Sequence, residues 1–204
     1  MQHSNEIPEH TNGVQTDTEY SVNAKSRSEA EHIFKRASAR LLQINTWHKL
    51  CGPGSAHFAL TDKNGQKVMR PAKENDYFKI DIPGPGSAAG DGYDWVRVEK
   101  IKNKITMGGE EENLMMQVRP CSAPAIQDDS TAHFLSDEAT STFIIARENN
   151  TIKASVHGRN EKPNVEAENF IDKLRNAVMG TGAIAGAAKI QWTLLVKGLL
   201  AEDV

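Results

Sequence analysis

The chain has few cysteines, little aromatic content and no long apolar run, and each shortage removes a class of protein. Only two cysteines occur in 204 residues, Cys51 and Cys121. That excludes a disulfide-stapled scaffold and reads as two free thiols in a reducing, cytoplasmic compartment. The first twenty residues contain neither a basic nor an apolar stretch of the kind that directs secretion. The one segment worth testing as a membrane span, Val178 to Leu200, carries Lys189 and Gln191 at its centre and reads as a core helix. Residues 1–19 have no Lys or Arg but hold Glu6, Glu9, Asp17 and Glu19, leaving 24 basic against 23 acidic residues elsewhere. A body so near neutrality has no global field to draw it onto nucleic acid or an anionic membrane.

What is present is a globular composition, 38 % hydrophobic and 25 % charged, sized for one domain. Residues 1–17 read as a disordered acidic tail, because only Ile7 and Val14 offer anything to bury. A single α+β domain then spans residues 18–204. It opens with a short strand at Glu19–Asn23 and a helix whose start is marked twice. Ser26 with Glu29, and Ser28 with Glu31, both have capping-box spacing. Ala30, Ile33, Phe34, Ala37, Leu41 and Ile44 share one face of that helix.

Strand patterns follow. His57–Thr61 leads through the Asp62–Gly65 turn into Gln66–Arg70, and Tyr77–Ile82 alternates with Phe78, Ile80 and Ile82 inward. Ser87–Gly92 reads as a mobile loop. Tyr93–Ile101 pairs with Leu114–Arg119, and Lys100, Lys102 and Lys104 are expected to face Glu110, Glu111 and Glu112 across the pair. Thr142–Arg147 and Thr151–Arg159 form a hairpin about Asn149-Asn150, which sets Phe143 opposite Val156 and Ile145 opposite Ala154. Ile152, Ala154 and Val156 share one face; Lys153, Ser155, His157 and Arg159 share the other. After Asn164, an N-cap behind Pro163, the chain is helical to its end, with a break expected at Gly180 and Gly182.

Strand, helix, six or so further strands and a long terminal helix is an order that resembles the helix-grip fold of START and polyketide-cyclase-like proteins. Ile44-Asn45-Thr46-Trp47 stands where that superfamily often has an Asn-x-Trp-like stretch. The resemblance implies a curved antiparallel sheet of six or seven strands around the last helix, and an apolar cavity between them. The alternative architecture is a small SH3-like or split barrel over residues 56–120 with helices outside it.

Several motifs invite chemistry. His48, Cys51 and His57 make half a zinc site, short of the three or four ligands a tetrahedron needs, and no metal is expected. Cys51 as a nucleophile would require a nearby histidine base, and a buried small hydrophobe is the plainer reading. The glycines at 84–92 lack the Lys-Ser/Thr of a phosphate loop, and those at 180–186 follow no strand. His157-Gly158-Arg159-Asn160-Glu161 is the densest polar cluster, competing with a simple solvated strand face.

The expected function is non-catalytic binding of a small apolar or amphipathic molecule, with no cofactor. Trp192, Ile184, Leu195, Phe143, His157 and Arg159 are the expected ligand-binding residues. The rivals are a domain that self-associates through the Gly/Ala-rich helix at Gly182–Ala188, and an enzyme using His157 and Arg159.

Overall fold

The computed structural model describes residues 6–82, 90–106, 110–124, 130–164 and 181–202, with the side chains of the last stretch described from residue 188. Strand β1 spans Val14–Asn23 and helix α1 spans Arg27–Leu42. A single 3-10 turn at Ile44–Thr46 leads into the short helix α2, Trp47–Cys51. Strands β2 (His57–Thr61), β3 (Tyr77–Asp81), β4 (Asp94–Ile105), β5 (Glu111–Pro120), β6 (Thr140–Glu148) and β7 (Thr151–Glu161) precede helix α3, Thr181–Leu200. No helix among the described residues is long and apolar enough to cross a membrane.

All seven strands form one antiparallel sheet in the order β1-β7-β6-β5-β4-β3-β2. Strands β2 to β7 are a meander, and β1 joins it on the far side of β7. The barrel alternative is overturned: β2 to β5 continue into the same sheet as β6, β7 and β1. The α+β architecture expected from the element order holds. The hairpin register holds as well, with Phe143 opposite Val156 and Ile145 opposite Ala154. Asn149 supplies the positive φ (53°) that a two-residue turn of this kind needs.

Helix α1 uses the earlier of its two capping signals. The Glu29 N–H donates to Ser26 Oγ at 3.2 Å, and the Glu29 carboxylate accepts the Lys25 N–H at 2.6 Å. Ala30, Phe34, Ala37 and Leu41 are its buried stripe. They meet Phe58, Leu60, Phe78, Val96, Val98, Leu114, Met116, Phe143, Ile145 and the Leu195–Leu200 end of α3 in the main core. Gly198 lets α3 come close to α2, since a Cβ there would lie 2.5 Å from the Leu50 carbonyl oxygen.

Three sequence expectations need correction. The strand at Gln66–Arg70 reduces to one bridge, Thr61 with Lys67. Asn45 occupies the edge instead, its Oδ1 accepting the Leu60 N–H at 3.0 Å and its Nδ2 donating to the Val68 carbonyl at 2.8 Å. Lysines and glutamates do not face each other across β4 and β5: Lys102 sits opposite Met115 and Lys104 opposite Asn113. Lys104 pairs with Glu6 at 2.6 Å, and Glu112 with the buried Arg147 at 2.7 Å. Gly182 lies within α3, and Gly180, where the break was also expected, lies outside the described residues.

The third correction concerns the tail. β1 starts at Val14, Glu6 is buried, and Ile7 packs on Met115, Ile144 and Ala146. Polar composition misled here because β1 is an edge strand, whose outward residues need no apolar character. Deleting residues 1–13 is therefore expected to lower stability by about 1–2 kcal/mol, a few degrees in Tm, through loss of the Ile7 contact. An unchanged thermal melt would show that this segment does not hold to the sheet.

The sheet face turned from the helices is thus covered too. Trp95, Ala123 and Ala132 form a second cluster there, with Tyr77, Tyr93 and Cys121 against it.

Candidate ligand site

Between sheet and helices a connected cluster of aromatic rings sits within the aliphatic core. Trp47 is fully buried, and its ring centroid lies 5.3 Å from Phe58, 5.8 Å from Phe78 and 5.1 Å from Phe143. Its indole N–H reaches the Arg40 and Leu41 carbonyls at 3.2 and 3.1 Å. Trp192, on α3, stands edge-on to Phe143 at 5.3 Å and tilted to Phe58 at 6.4 Å. These offsets are the favourable aromatic geometries. Trp192 is only half-buried, whereas the other four rings of the cluster are buried. Leu195 lies fully buried one turn further along α3. Of the expected ligand residues, Phe143, Trp192 and Leu195 therefore come together, and the Ile184 side chain lies outside the described residues.

His157 and Arg159 do not join them. Side chains alternate along β7, so these two stand on the opposite face from Val156. There His157 Nδ1 lies 2.5 Å from Asp17 Oδ1 and its Nε2 lies 3.0 Å from Ser155 Oγ. Arg159 donates to Asp17 at 2.9 Å and to the Thr16 and Gly158 carbonyls. Burial raises the Asp17 pKa, but hydrogen bonds from Gln15, His157 and Arg159 outweigh it and hold the carboxyl below its ordinary value. Ser155, His157 and Asp17 line up as hydroxyl, base and orienting carboxylate do in a nucleophilic triad. A reacting carbonyl would also need free N–H donors beside Ser155. β7 is flanked by β1 and β6, so the backbone around Ser155 is engaged in ladders on both sides. The arrangement fastens β1 to β7.

The thiols are equally unsuited to attack. Burial pushes Cys51 up to about 11, only partly offset by the Gln191 side chain that donates to its sulfur at 2.9 Å. Burial pushes Cys121 up to about 12. At neutral pH both are thiols, not thiolates. Cys121 packs beneath Trp95, away from the His48–Cys51 pair, and no three His, Cys, Asp or Glu side chains among the described residues are grouped to hold a metal.

Two further buried titratable groups had no signal in the sequence. Asp94 is 3 % exposed, and its Oδ1 has no hydrogen-bond partner. Burial lifts its pKa to about 7 despite a hydrogen bond from the Phe134 N–H. Burial pushes the neighbouring His133 down to about 3, and its Nδ1 accepts the Leu135 N–H at 2.9 Å.

No family model and no curated protein matches the chain. Solved structures similar to it include a norcoclaurine synthase point mutant from Thalictrum flavum in complex with a transition state analogue, at 12 % identity. That match covers 92 % of this chain and 98 % of the synthase, with a TM-score of 0.37. Protein Ms6760 from Mycobacterium smegmatis is 13 % identical over 92 % of this chain and 93 % of its own, with a TM-score of 0.33. A Staphylococcus epidermidis protein solved by NMR is 11 % identical over 95 % and 96 %, with a TM-score of 0.34. Strand order and the terminal helix on one face of the sheet decide the architecture. The fold is the helix grip. In this helix grip the layer between sheet and helices contains the aromatic cluster that ends at Trp192.

Proposed function

We propose that the domain binds a small apolar or amphipathic molecule, without covalent chemistry, between the sheet and α3. The observation that carries this reading is Trp192, a half-buried indole that links solvent to the Phe58, Phe143 and Trp47 rings. A ligand entering here displaces ring–ring contacts and replaces them with its own, the exchange an aromatic-lined apolar site permits. Phe143 and Leu195 form the floor of that path. Free thiols at Cys51 and Cys121 accord with a reducing compartment such as the cytoplasm.

The test uses a Trp47→Phe/Trp95→Phe variant in which Trp192 is the sole indole, titrated with a fatty acid and with a sterol. A saturable change in Trp192 emission is the expected result, and Trp192→Ala in the otherwise native chain should weaken ligand binding at least tenfold. No saturable change with either ligand class, together with native mass spectra free of bound small molecules, would end the proposal. Self-association is the second reading, favoured by Ile190 and Leu194, exposed one turn apart on α3. Sizing of the same samples reports on it.

A further inference from the structure

The edge of the sheet at β2 carries a second set of polar groups, directed away from the core and flanked by α2. Phe58, Leu60, Phe78 and Ile80 point into the core, so by alternation His57, Ala59, Lys79 and Asp81 point outward. His57 lies opposite Asp81 and Ala59 opposite Lys79 in the ladder. Over them, α2 brings His48 against His57, ring centroids 5.1 Å apart and nearly parallel at 26°. This imidazole pair divides two clefts. One, of about 200 Å³, is bounded by Lys67, Lys79, Asp81 and Tyr93; the other, of about 320 Å³, by Lys49 and the Gly52–Ser55 loop. Gly52 and Gly54 both have positive φ, and a Cβ on either would meet nothing within 4 Å, so no side chain fills the second cleft.

The charge around the first cleft is unbalanced. Elsewhere on the sheet Lys104 and Lys153 are each ion-paired, as is Lys162 just beyond it. Among the described residues no carboxylate lies within 4.0 Å of Lys67 or Lys79, and Asp81 is the one acidic residue lining the cleft. Lys79 is held in place by the Tyr93 ring, its Nζ 3.9 Å from the centroid. His48 Nδ1 is buried with no hydrogen-bond partner, an arrangement that costs stability unless something bound supplies one. Two ammonium groups and two imidazoles, one of them with an unsatisfied ring nitrogen, are groups an oxyanion takes, and no carboxylate among the described residues is ion-paired with them.

We infer that the cleft between α2 and the β2–β3 edge is a binding site for the oxyanion group, phosphate or carboxylate, of a small molecule. His48 and His57 form the wall, and Lys67 and Lys79 supply the charge. Trp192 is not among the residues that line either cleft. It is tested by following the His48 and His57 ring C–H resonances in native protein titrated at fixed pH and ionic strength with inorganic phosphate and with acetate, against sodium chloride. Saturable shifts of both rings by phosphate alone assign a phosphate-bearing ligand. Saturation by both anions assigns a site open to carboxylates as well. Lys67→Gln, an exposed change, and Lys79→Gln, at a half-buried position, are each expected to weaken binding about tenfold or more, with thermal melts of both variants confirming that the fold is kept. Shifts that are linear, equal in chloride, or unaffected in both variants would overturn the assignment. The Trp192 titration with fatty acid or sterol reads a different site, so either result can fail without the other.

Discussion

Replacing Trp47 with alanine is expected to cost about 3–5 kcal/mol of folding stability, near the top of what a single core truncation does. The residue comes from an amphipathic position just past the 3-10 turn that ends α1, yet it is the hub of the core. Phe58, Phe78 and Phe143, from three strands, all pack on its ring, and its N–H closes two carbonyls at the α1 C-terminus. Deletion leaves a cavity that three rings on separate strands cannot collapse to fill, and it orphans the carbonyls as well. Trp47→Phe keeps most of the packing and loses only the hydrogen bonds, so it should cost clearly less. Urea denaturation measures both. A loss below about 1 kcal/mol for the alanine variant would mean that the cluster is not what holds sheet to helices.

The second large effect is a dependence on pH that wild-type protein conceals. Asp94 has an ordinary pKa of 3.8, lifted by burial to about 7 in the fold. Between those values the native state keeps a proton that the unfolded chain has released, so stability falls as pH rises, by about 1.4 kcal/mol per unit. His133 runs the other way. Its ordinary value of 6.5 drops to about 3, and between them the unfolded chain holds a proton that the native state lacks. Stability from that group therefore rises with pH at the same slope. From about pH 4 to 6.5 the two slopes cancel. Asp94→Asn removes one of them, and the variant should gain on wild type by about 1.4 kcal/mol per unit from pH 4 to pH 7, then hold level. Denaturation curves for the two proteins across that range decide it. Parallel curves would show that Asp94 ionises in the fold as it does in water.

Legibility in the sequence followed the range of the forces involved. The α1 cap and the β6–β7 register were readable because each is set by residues within a few positions of one another: Ser26 with Glu29, and Asn149-Asn150 with the residues beside it. The sidedness of β7 was readable too, since alternation alone separates Val156 from His157 and Arg159. Grouping those two with Phe143 in one ligand site ran against that alternation. Long-range partners left no trace. Nothing local shows that Glu6 meets Lys104, that Asn45 closes the β2 edge, or that Asp94 and His133 are both buried. The His48–His57 cleft was half-visible, as a possible metal pair. The lysines that distinguish it come from a loop after β2 and from β3, and only folding brings them together.

The placement of β1 also sets a constraint in time. Its partner is β7, so Val22 must find Ile152 and Tyr20 must find Ala154 across nearly the whole chain. Helix α3, which closes the core over Trp47, comes later still. Contacts so distant in sequence make for slow folding, because chain closure costs entropy before any contact repays it. On a ribosome that adds residues one at a time, β2 to β6 emerge while one flank of the future sheet has no neighbour. The ten-residue strand β1 waits with both edges open until β7 appears. During that interval β1 is the segment most exposed to pairing with a second copy of itself, and its alternating Thr16, Thr18, Tyr20 and Val22 are of the residue types that pair readily. Asp17 and Glu19, on the other side of the strand, place two successive carboxylates where such a pair would form.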